Sequence, residues 1–408
     1  MVADSAAEPQ APSGIGDQDR GCHPVIPVSR GRLAGAADGW SALKAGFATL
    51  MLLLPVSLPA QPNRWEVSGS LTGVYHHGSF DQARTSAGAS RGDTGRGSVA
   101  LDLESTLQIG TRSRLFAAAS LAEGNGLDGA GGVSVRVNAD DLEDDLENIN
   151  GRSRDYLREA WYAFDLAAEA ATRFRMTAGI IDATRYIDLN RAANDELHQF
   201  MNEVFVNRFF LPSYDPGIAV AVDGETWSVH GVWMNTRAET VDGGYDDFDF
   251  FGLDVGIRYQ LAAGEGTGRV ILLTTSDAFG EDDSNVHGAG FSIDQNLGQH
   301  VMAFARAGVF NEEPSVLTHK ALYSGGLQFS GTLVGRPQWV TGLAYAFLDG
   351  VADAPGDVRD TRVWEIYARW NPTSGLGIGL DLQHVTDDLR QDKNPSLWAV
   401  GVRINLSL

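Results

Sequence analysis

The segment from residue 182 to residue 214 holds the densest group of polar side chains suited to binding a small solute. Its candidates are Arg185, Asn190, Arg191, Asn194, Asp195 and Glu196. Guanidinium, amide and carboxylate groups donate or accept hydrogen bonds, so together they can replace the lost hydration of a small polar solute. The alternative interpretation is structural, because Asn, Asp and Glu near residue 195 also suit the N-terminus of a following helix. Both interpretations use the same groups and stay open.

Catalytic or metal-binding chemistry has little support in the sequence. The chain has one cysteine, Cys22, and it lies in the segment expected to be removed on export. His76 and His77 are adjacent on a predicted strand, so they point to opposite faces and do not suit one metal ion. A lipase-like enzyme needs a Ser–His pair held by a third polar group, and no such motif is recognisable. We expect no catalytic residue, no metal and no cofactor; an outer-membrane barrel enzyme is the second hypothesis.

The solute-binding segment has an apolar pattern of its own. Apolar residues with mixed spacings of three and four predict one or two short helices within it. These residues are Leu189, Ala192, Ala193, Leu197, Phe200, Met201, Val204 and Phe205. A long connection with internal structure is usually functional. We therefore expect residues 182–214 to fold inward as a constriction loop.

The rest of the chain after residue 61 reads as strands with a side-chain period of two. In the last segment Trp398, Val400, Val402 and Ile404 alternate with small or polar residues, which gives one apolar and one wet face. About sixteen such segments recur, joined alternately by short turns and longer polar loops. This pattern predicts an all-β fold, a transmembrane antiparallel β-barrel with about sixteen strands. A soluble sugar-binding β-sandwich ranks last, because charged inward faces would make a poor dry core.

Strand parity assigns charged residues to the inner wall of this barrel. Parity places four of them there, namely Arg258, Glu365, Arg369 and Arg403. A fifth wall candidate, Arg158, lies on an earlier strand. Most wall charges, taken singly, are expected only to hold shape through salt bridges. Aromatic residues near strand ends, including Trp161 and Trp364, predict interfacial girdles, with stacking on sugars in the lumen as the alternative.

The first 60 residues predict a targeting region. Basic residues precede an apolar run from Ala45 to Leu54 that is too short to span a membrane. Residues 61–408 would then form the barrel domain in the outer membrane of a Gram-negative-type bacterium. We expect contacts with membrane lipids, lipopolysaccharide and the outer-membrane assembly machinery, and a homo-oligomer stays open. The formal net charge of −22 makes nucleic acid an improbable partner.

The constriction segment resembles the carbohydrate-selective outer-membrane porin (OprB) family. The resemblance lies in Asp188-x-Asn190, Ala193-Asn194-Asp195-Glu196 and Gln199-Phe200-x-Asn202, and in the earlier strand Glu159-Ala160-Trp161-Tyr162. It extends to Glu365-x-Tyr367, Asp381-x-Gln383-His384, Asn394-Pro395 and Gly401-x-Arg403 near the end. The chain departs from the family at its last residue, which is Leu408 where the family usually has Phe. The resemblance implies a sixteen-stranded barrel and passive diffusion of small sugars.

Overall fold

The structure is a computed structural model, and it describes a single barrel. The described residues are 64–84, 89–166, 171–207, 211–239, 245–276, 285–311, 317–352, 357–390 and 394–407. The predicted targeting region, residues 1–60, and the departure at Leu408 lie outside them.

Sixteen antiparallel strands pair in chain order, and β1 closes the sheet on β16. The strands are β1 Arg64–Asp81, β2 Thr94–Ile109, β3 Ser113–Glu123, β4 Leu157–Asp165, β5 Arg173–Ile181, β6 Asp215–Asp223, β7 Trp227–Glu239, β8 Tyr245–Leu261, β9 Gly264–Thr275, β10 His287–Asn296, β11 Val301–Phe310, β12 His319–Ser330, β13 Trp339–Gly350, β14 Val358–Thr373, β15 Leu376–Leu389 and β16 Ser396–Ser407. The predicted fold class and strand number are confirmed. Closure satisfies the backbone groups that an open sheet edge would leave unpaired.

The pairing between β1 and β16 begins further along β1 than the sequence suggested. The ladder runs from Ser70 opposite Ser407 to Asp81 opposite Ser396. The sequence predicts that the last strand pairs with the first near Trp65; the pairing is confirmed, but its position near Trp65 is wrong. Trp65 lies opposite Leu107 of β2, because β1 extends beyond the end of β16.

The outer surface of the barrel is apolar, whereas the inner surface combines buried charged residues with apolar patches that the loops cover. On β16, Val400 and Val402 are 56% and 41% exposed. Arg403, which lies between Val402 and Ile404, is only 2% exposed. Trp364, Trp370 and Trp398 are also exposed on the outside, as parity predicted. A band of this kind suits the hydrocarbon of a bilayer. The soluble β-sandwich hypothesis is wrong, because the sheet closes on itself and faces its apolar residues outward.

The helical elements are short. The 3-10 turns are Asp128–Ala130, Ile149–Gly151, Ala183–Arg185 and Gly331–Val334, and the α-helical turns are Glu143–Leu146 and Glu203–Val206. Within the described ranges, none of the helices has the length and apolar character needed to cross a membrane.

Two long loops fill much of the lumen. We call the β3–β4 connection loop L2 (residues 124–156) and the β5–β6 connection loop L3 (residues 182–214). Val135 and Val137 of L2 share a buried apolar cluster with Phe200 and Phe205 of L3. The inward folding predicted for residues 182–214, with short helical turns, is what the fold shows. The inward folding of L2 was not predicted.

Candidate functional site

Loop L3 follows the inner wall for most of its course. Its first part packs Ile187 against Phe250 of β8 and Ile271 of β9 in one apolar cluster. Its second part lies on the opposite wall, where the ring of Phe200 meets Tyr367 of β14 edge-on with 4.9 Å between centroids. Aromatic contacts of this geometry stabilise packing beyond the area they bury. The loop thus covers the wall from β7 round to β16.

Charged wall residues fasten the second part of L3. The carboxylate of Glu365 accepts hydrogen bonds from the backbone N–H groups of Met201 at 2.6 Å and Asn202 at 2.9 Å. Arg369 donates to the carbonyl of Leu197 at 2.6 Å, and Arg403 donates to the carbonyl of Gln199 at 2.9 Å. These three predicted wall residues do point inward, and their visible contacts hold the loop.

A fourth charged wall residue that holds L3, Arg306, was not predicted from the sequence. Arg306 of β11 donates to the carbonyl of Phe205 at 2.6 Å and pairs with Asp188 at 2.7 Å. All of its side chain is buried. The sequence feature that could have identified it is a single arginine at an inward-facing position of a strand whose other residues are small or apolar.

Loop L2 joins L3 to form the filling of the lumen. The N–H of Ala139 donates to the carbonyl of Met201 at 2.9 Å, and the N–H of Arg136 donates to Glu203 at 3.0 Å. Gln383 of β15 donates to the carbonyl of Val137 at 2.8 Å. The alternation Val133-Ser-Val135-Arg-Val137 is a strand-like signal that could have marked this segment as buried.

A cavity of about 910 Å³ is lined by L2, L3 and the inner wall of the barrel. Of the predicted residues, Arg158, Arg185, Asn194 and Glu196 line it. Among the described residues that line it, nine are Asp or Glu and four are Arg. The cavity is large enough for a small solute.

Arg158 reaches the lumen through a β-bulge. Ala118 of β3 lies opposite Glu159 and Ala119 opposite Leu157, which leaves Arg158 as the extra residue. The bulge re-aims a side chain that simple alternation would send to the lipid. Arg158 then pairs with Asp102 at 3.1 Å and with Asp141 of L2.

An aromatic pair lies beside the cavity on the wall that L3 leaves open. The rings of Phe116 and Trp161 stack with 4.7 Å between centroids, and the guanidinium of Arg185 lies 5.1 Å from the Phe116 centroid. Glu159 accepts from Arg185 Nε at 2.7 Å and from the indole N–H of Trp161 at 3.0 Å. The girdle interpretation is therefore wrong for Trp161, whose side chain shares the inward parity of Glu159. We call Phe116, Trp161, Glu159, Arg185 and Glu104 the aromatic platform.

Besides Asp195 and the wall residues Glu365, Arg369 and Arg403, three further predicted residues lie away from this cavity lining. Asn190 is buried and donates to Ser292 of β10 at 3.1 Å. Arg191 pairs with Asp294 at 2.5 Å. Arg258 donates to the carbonyl of Glu225 in the β6–β7 turn at 2.9 Å. Each of these side chains fastens a loop or turn in the structure.

Asp195 closes a turn within L3. Its carboxylate accepts from the N–H groups of Leu197 at 3.1 Å and His198 at 3.0 Å. Although burial opposes it, the hydrogen bonds and charge of His198 hold the pKa of Asp195 below its ordinary value. The expectation that residues 194–196 cap a helix is wrong, because a turn follows here and the α-helical turn begins only at Glu203.

Glu196 keeps part of its surface open to the cavity. Burial and the nearby carboxylates of Asp195, Asp141 and Asp182 raise the pKa of Glu196 to about 8. Close carboxylates oppose each other's ionisation, which favours the neutral form of one of them.

The histidines of the described chain do not gather into a metal centre. His230 pairs with Asp223 at 3.1 Å, and His319 lies 2.9 Å from Thr361. His76 is buried in the lumen while His77 is exposed outside, as their alternation predicted. The part of the chain that the structure describes contains no group of three His, Cys, Asp or Glu residues placed to hold a metal ion.

Comparison with known proteins supports both a family and a fold. An uncharacterized protein of Aquifex aeolicus (strain VF5) is 30% identical over 280 residues, which cover 67% of this chain and 76% of that protein. The chain belongs to the family of this Aquifex protein. No family model matches the chain.

Solved structures with the same barrel are outer-membrane channels. Pseudomonas putida OprB in its high-pH structure has a TM-score of 0.63 and 14% identity, covering 84% of this chain and 94% of that chain. The outer-membrane channel DcaP of Acinetobacter baumannii has a TM-score of 0.55 and 13% identity, covering 87% of this chain and 100% of that chain. The expected likeness to OprB is confirmed for the fold, and these neighbours are channels rather than enzymes.

Proposed function

We propose that the protein is an outer-membrane channel through which small carbohydrates diffuse passively and with partial selectivity. The observation that carries this proposal is the aromatic platform beside the cavity. It combines a partly exposed indole with carboxylates and a guanidinium at hydrogen-bonding distance from each other. The fold shared with outer-membrane channels supports the location.

A pyranose matches the platform because it has an apolar face of C–H groups and a rim of hydroxyl groups. The indole of Trp161 offers the flat surface. Glu104 accepts from hydroxyl groups and Arg185 donates to them, while the buried Glu159 holds Arg185 and the indole N–H in position. Aromatic contacts contribute about 0.5–1.5 kcal/mol beyond buried area, which changes an equilibrium constant roughly two- to twelvefold. An affinity increment of this size favours entry without trapping the sugar.

The outer membrane supplies the proposed partners. The exposed apolar belt suits lipid chains, with lipopolysaccharide in the outer leaflet. The outer-membrane assembly machinery would insert the barrel, and an N-terminal signal peptide would direct export. A homo-oligomer remains a prediction, since the same outer face serves lipid or another copy of the chain.

Liposome swelling tests the proposed function. Folded protein is reconstituted, and the influx rate of a hexose is compared with that of an uncharged polyol and a zwitterionic amino acid of similar size. We expect entry of all three, with the hexose at least about twofold faster, as an affinity gain of a few tenths of a kcal/mol implies. Absence of swelling would refute a channel, whereas equal rates would refute carbohydrate preference alone.

A further inference from the structure

The charges around the cavity do not balance once the ion pairs are taken out. Each of the four lining arginines has a carboxylate partner. Arg136 pairs with Asp145 at 2.9 Å, Arg185 with Glu159 at 2.6 Å and Arg237 with Asp247 at 2.8 Å. Arg158 pairs with Asp102 at 3.1 Å. The arginines are thus neutralised locally and add little positive potential to the cavity.

Several lining carboxylates have no such partner. Among described residues, Asp140, Glu147, Asp182 and Glu196 line the cavity and form no ion pair with a cationic side chain. Asp140 is only 7% exposed, and its carboxylate accepts one hydrogen bond, from the N–H of Asp141 at 2.9 Å. Burial and the nearby carboxylates of Asp141, Glu196 and Asp102 raise the pKa of Asp140 well above its ordinary value, so Asp140 adds negative potential to the cavity only as pH rises.

An uncharged acceptor points to the same class of solute. Asn194 lies on L3 between the platform and Glu196 and lines the cavity. Its amide oxygen is buried and accepts no hydrogen bond from the described residues. An unpaired acceptor next to unpaired carboxylates favours a species that brings positive charge or N–H donors.

The size of the cavity keeps this potential unscreened at moderate salt. A sphere of 910 Å³ has a radius of about 6 Å, shorter than the Debye length of about 10 Å at 0.1 M salt. A narrow, low-dielectric cleft also focuses the field of its own sign. At 1 M salt the Debye length falls to about 3 Å, so the same carboxylates would act only at contact.

Resting on the proposed channel function, we infer that the cavity is a cation-selective vestibule. It admits neutral sugars, enriches cationic solutes such as amino sugars, and excludes anionic ones such as sugar phosphates. Glu196 and Asp140 increase this selectivity as pH rises and their carboxyl groups ionise, because both line the cavity without a cationic partner. The aromatic platform then binds solutes that the vestibule has already selected by charge.

The test is the reversal potential of the reconstituted channel in a KCl gradient. We expect K⁺ to permeate at least about threefold better than Cl⁻ near 0.1 M, with the ratio falling toward one near 1 M. At 0.1 M and pH 9, above the pKa of about 8 of Glu196, the double variant Glu196→Gln with Asp140→Asn should lower the ratio by about half. Glu123→Gln changes an exposed carboxylate at the end of β3, outside the cavity, and should leave the ratio unchanged.

The outcomes separate this inference from the function on which it rests. Anion preference, or a ratio near one at 0.1 M, would overturn the vestibule while leaving the channel intact. A double variant that forms channels with the wild-type ratio at pH 9 would overturn the roles of Glu196 and Asp140. Folded protein that forms no channel would overturn the proposed function itself. Swelling with glucosamine against glucose 6-phosphate gives a second measurement, and faster entry of the phosphate would contradict cation selectivity.

Discussion

Two halves of the inner wall carry the same kinds of residue and use them differently. On β11–β16, inward charges such as Glu365 and Arg403 end on the backbone of L3. On β2–β4, inward residues such as Glu104 and Trp161 keep surface open to the lumen. We call these the fastened half and the open half. The comparison teaches that an inward charge in a barrel is a solute contact only where no loop covers it.

The fastened half holds L3 against the wall. Glu365 is fully buried and satisfies two backbone N–H groups of L3, and a buried donor without a partner costs about 1–3 kcal/mol. In the open half, Glu159 and Arg158 also bind the loops, through Arg185 of L3 and Asp141 of L2, but Glu104 and Trp161 keep part of their surface exposed. The Phe116–Trp161 stack and the bulged Arg158 present side chains to the space that L3 leaves.

The largest expected effect comes from unfastening L3. Glu365→Ala leaves the N–H groups of Met201 and Asn202 without an acceptor, so we expect the loop to leave the wall. Single-channel conductance should rise at least about twofold and hexose discrimination should fall, as two unmet donors together cost roughly 2–6 kcal/mol. Glu365→Gln retains an acceptor oxygen and should lie between wild type and Glu365→Ala. If Glu365→Ala had wild-type conductance, Glu365 would not be needed to hold L3, and the distinction between the fastened half and the open half would be wrong.

The next effect concerns the open half. Trp161→Ala removes the indole surface, so the sugar concentration that half-blocks the ion current should rise roughly two- to twelvefold. Trp364→Ala is the matched control, because Trp364 is exposed on the outer face. Equal shifts in the two variants, measured by sugar block in planar bilayers, would argue against stacking at Trp161.

A smaller effect should follow pH through Glu196. Its pKa is raised to about 8, so the carboxyl is neutral below that pH and gains its charge as pH rises through it. The K⁺ over Cl⁻ permeability ratio at low salt should therefore increase from pH 7 to pH 9. Glu196→Gln should flatten the increase over this interval. A ratio that falls with rising pH would contradict the assigned sign.

The smallest effect is expected at the turn that Arg258 contacts. Arg258→Gln loses hydrogen bonds to carbonyls of the β6–β7 turn, worth about 0.5–1.5 kcal/mol of stability each. Conductance and sugar block should equal those of wild type, while thermal unfolding in detergent should shift slightly downward. A changed sugar block would place Arg258 among the solute contacts after all.

The sequence by itself determined the barrel. Alternation with a period of two in segments such as Trp398–Ser407 fixes which side chains meet lipid, because neighbouring residues of a strand point to opposite faces. It also identified 182–214 as an inward loop, through apolar residues that a surface loop would not carry. Arg403 was correctly placed on the inner face by parity alone.

Only the tertiary structure decided which inward residues remain available. Parity treats Glu365 and Glu104 alike, but the position of L3 buries the first and leaves the second open. Parity also fails at Arg158, where one extra residue reverses the side-chain direction. Likewise, pairing of L2 with L3 joins residues about 60 positions apart, such as Ala139 and Met201. Local periodicity carries no information on such contacts, because they depend on how loops share one enclosed volume.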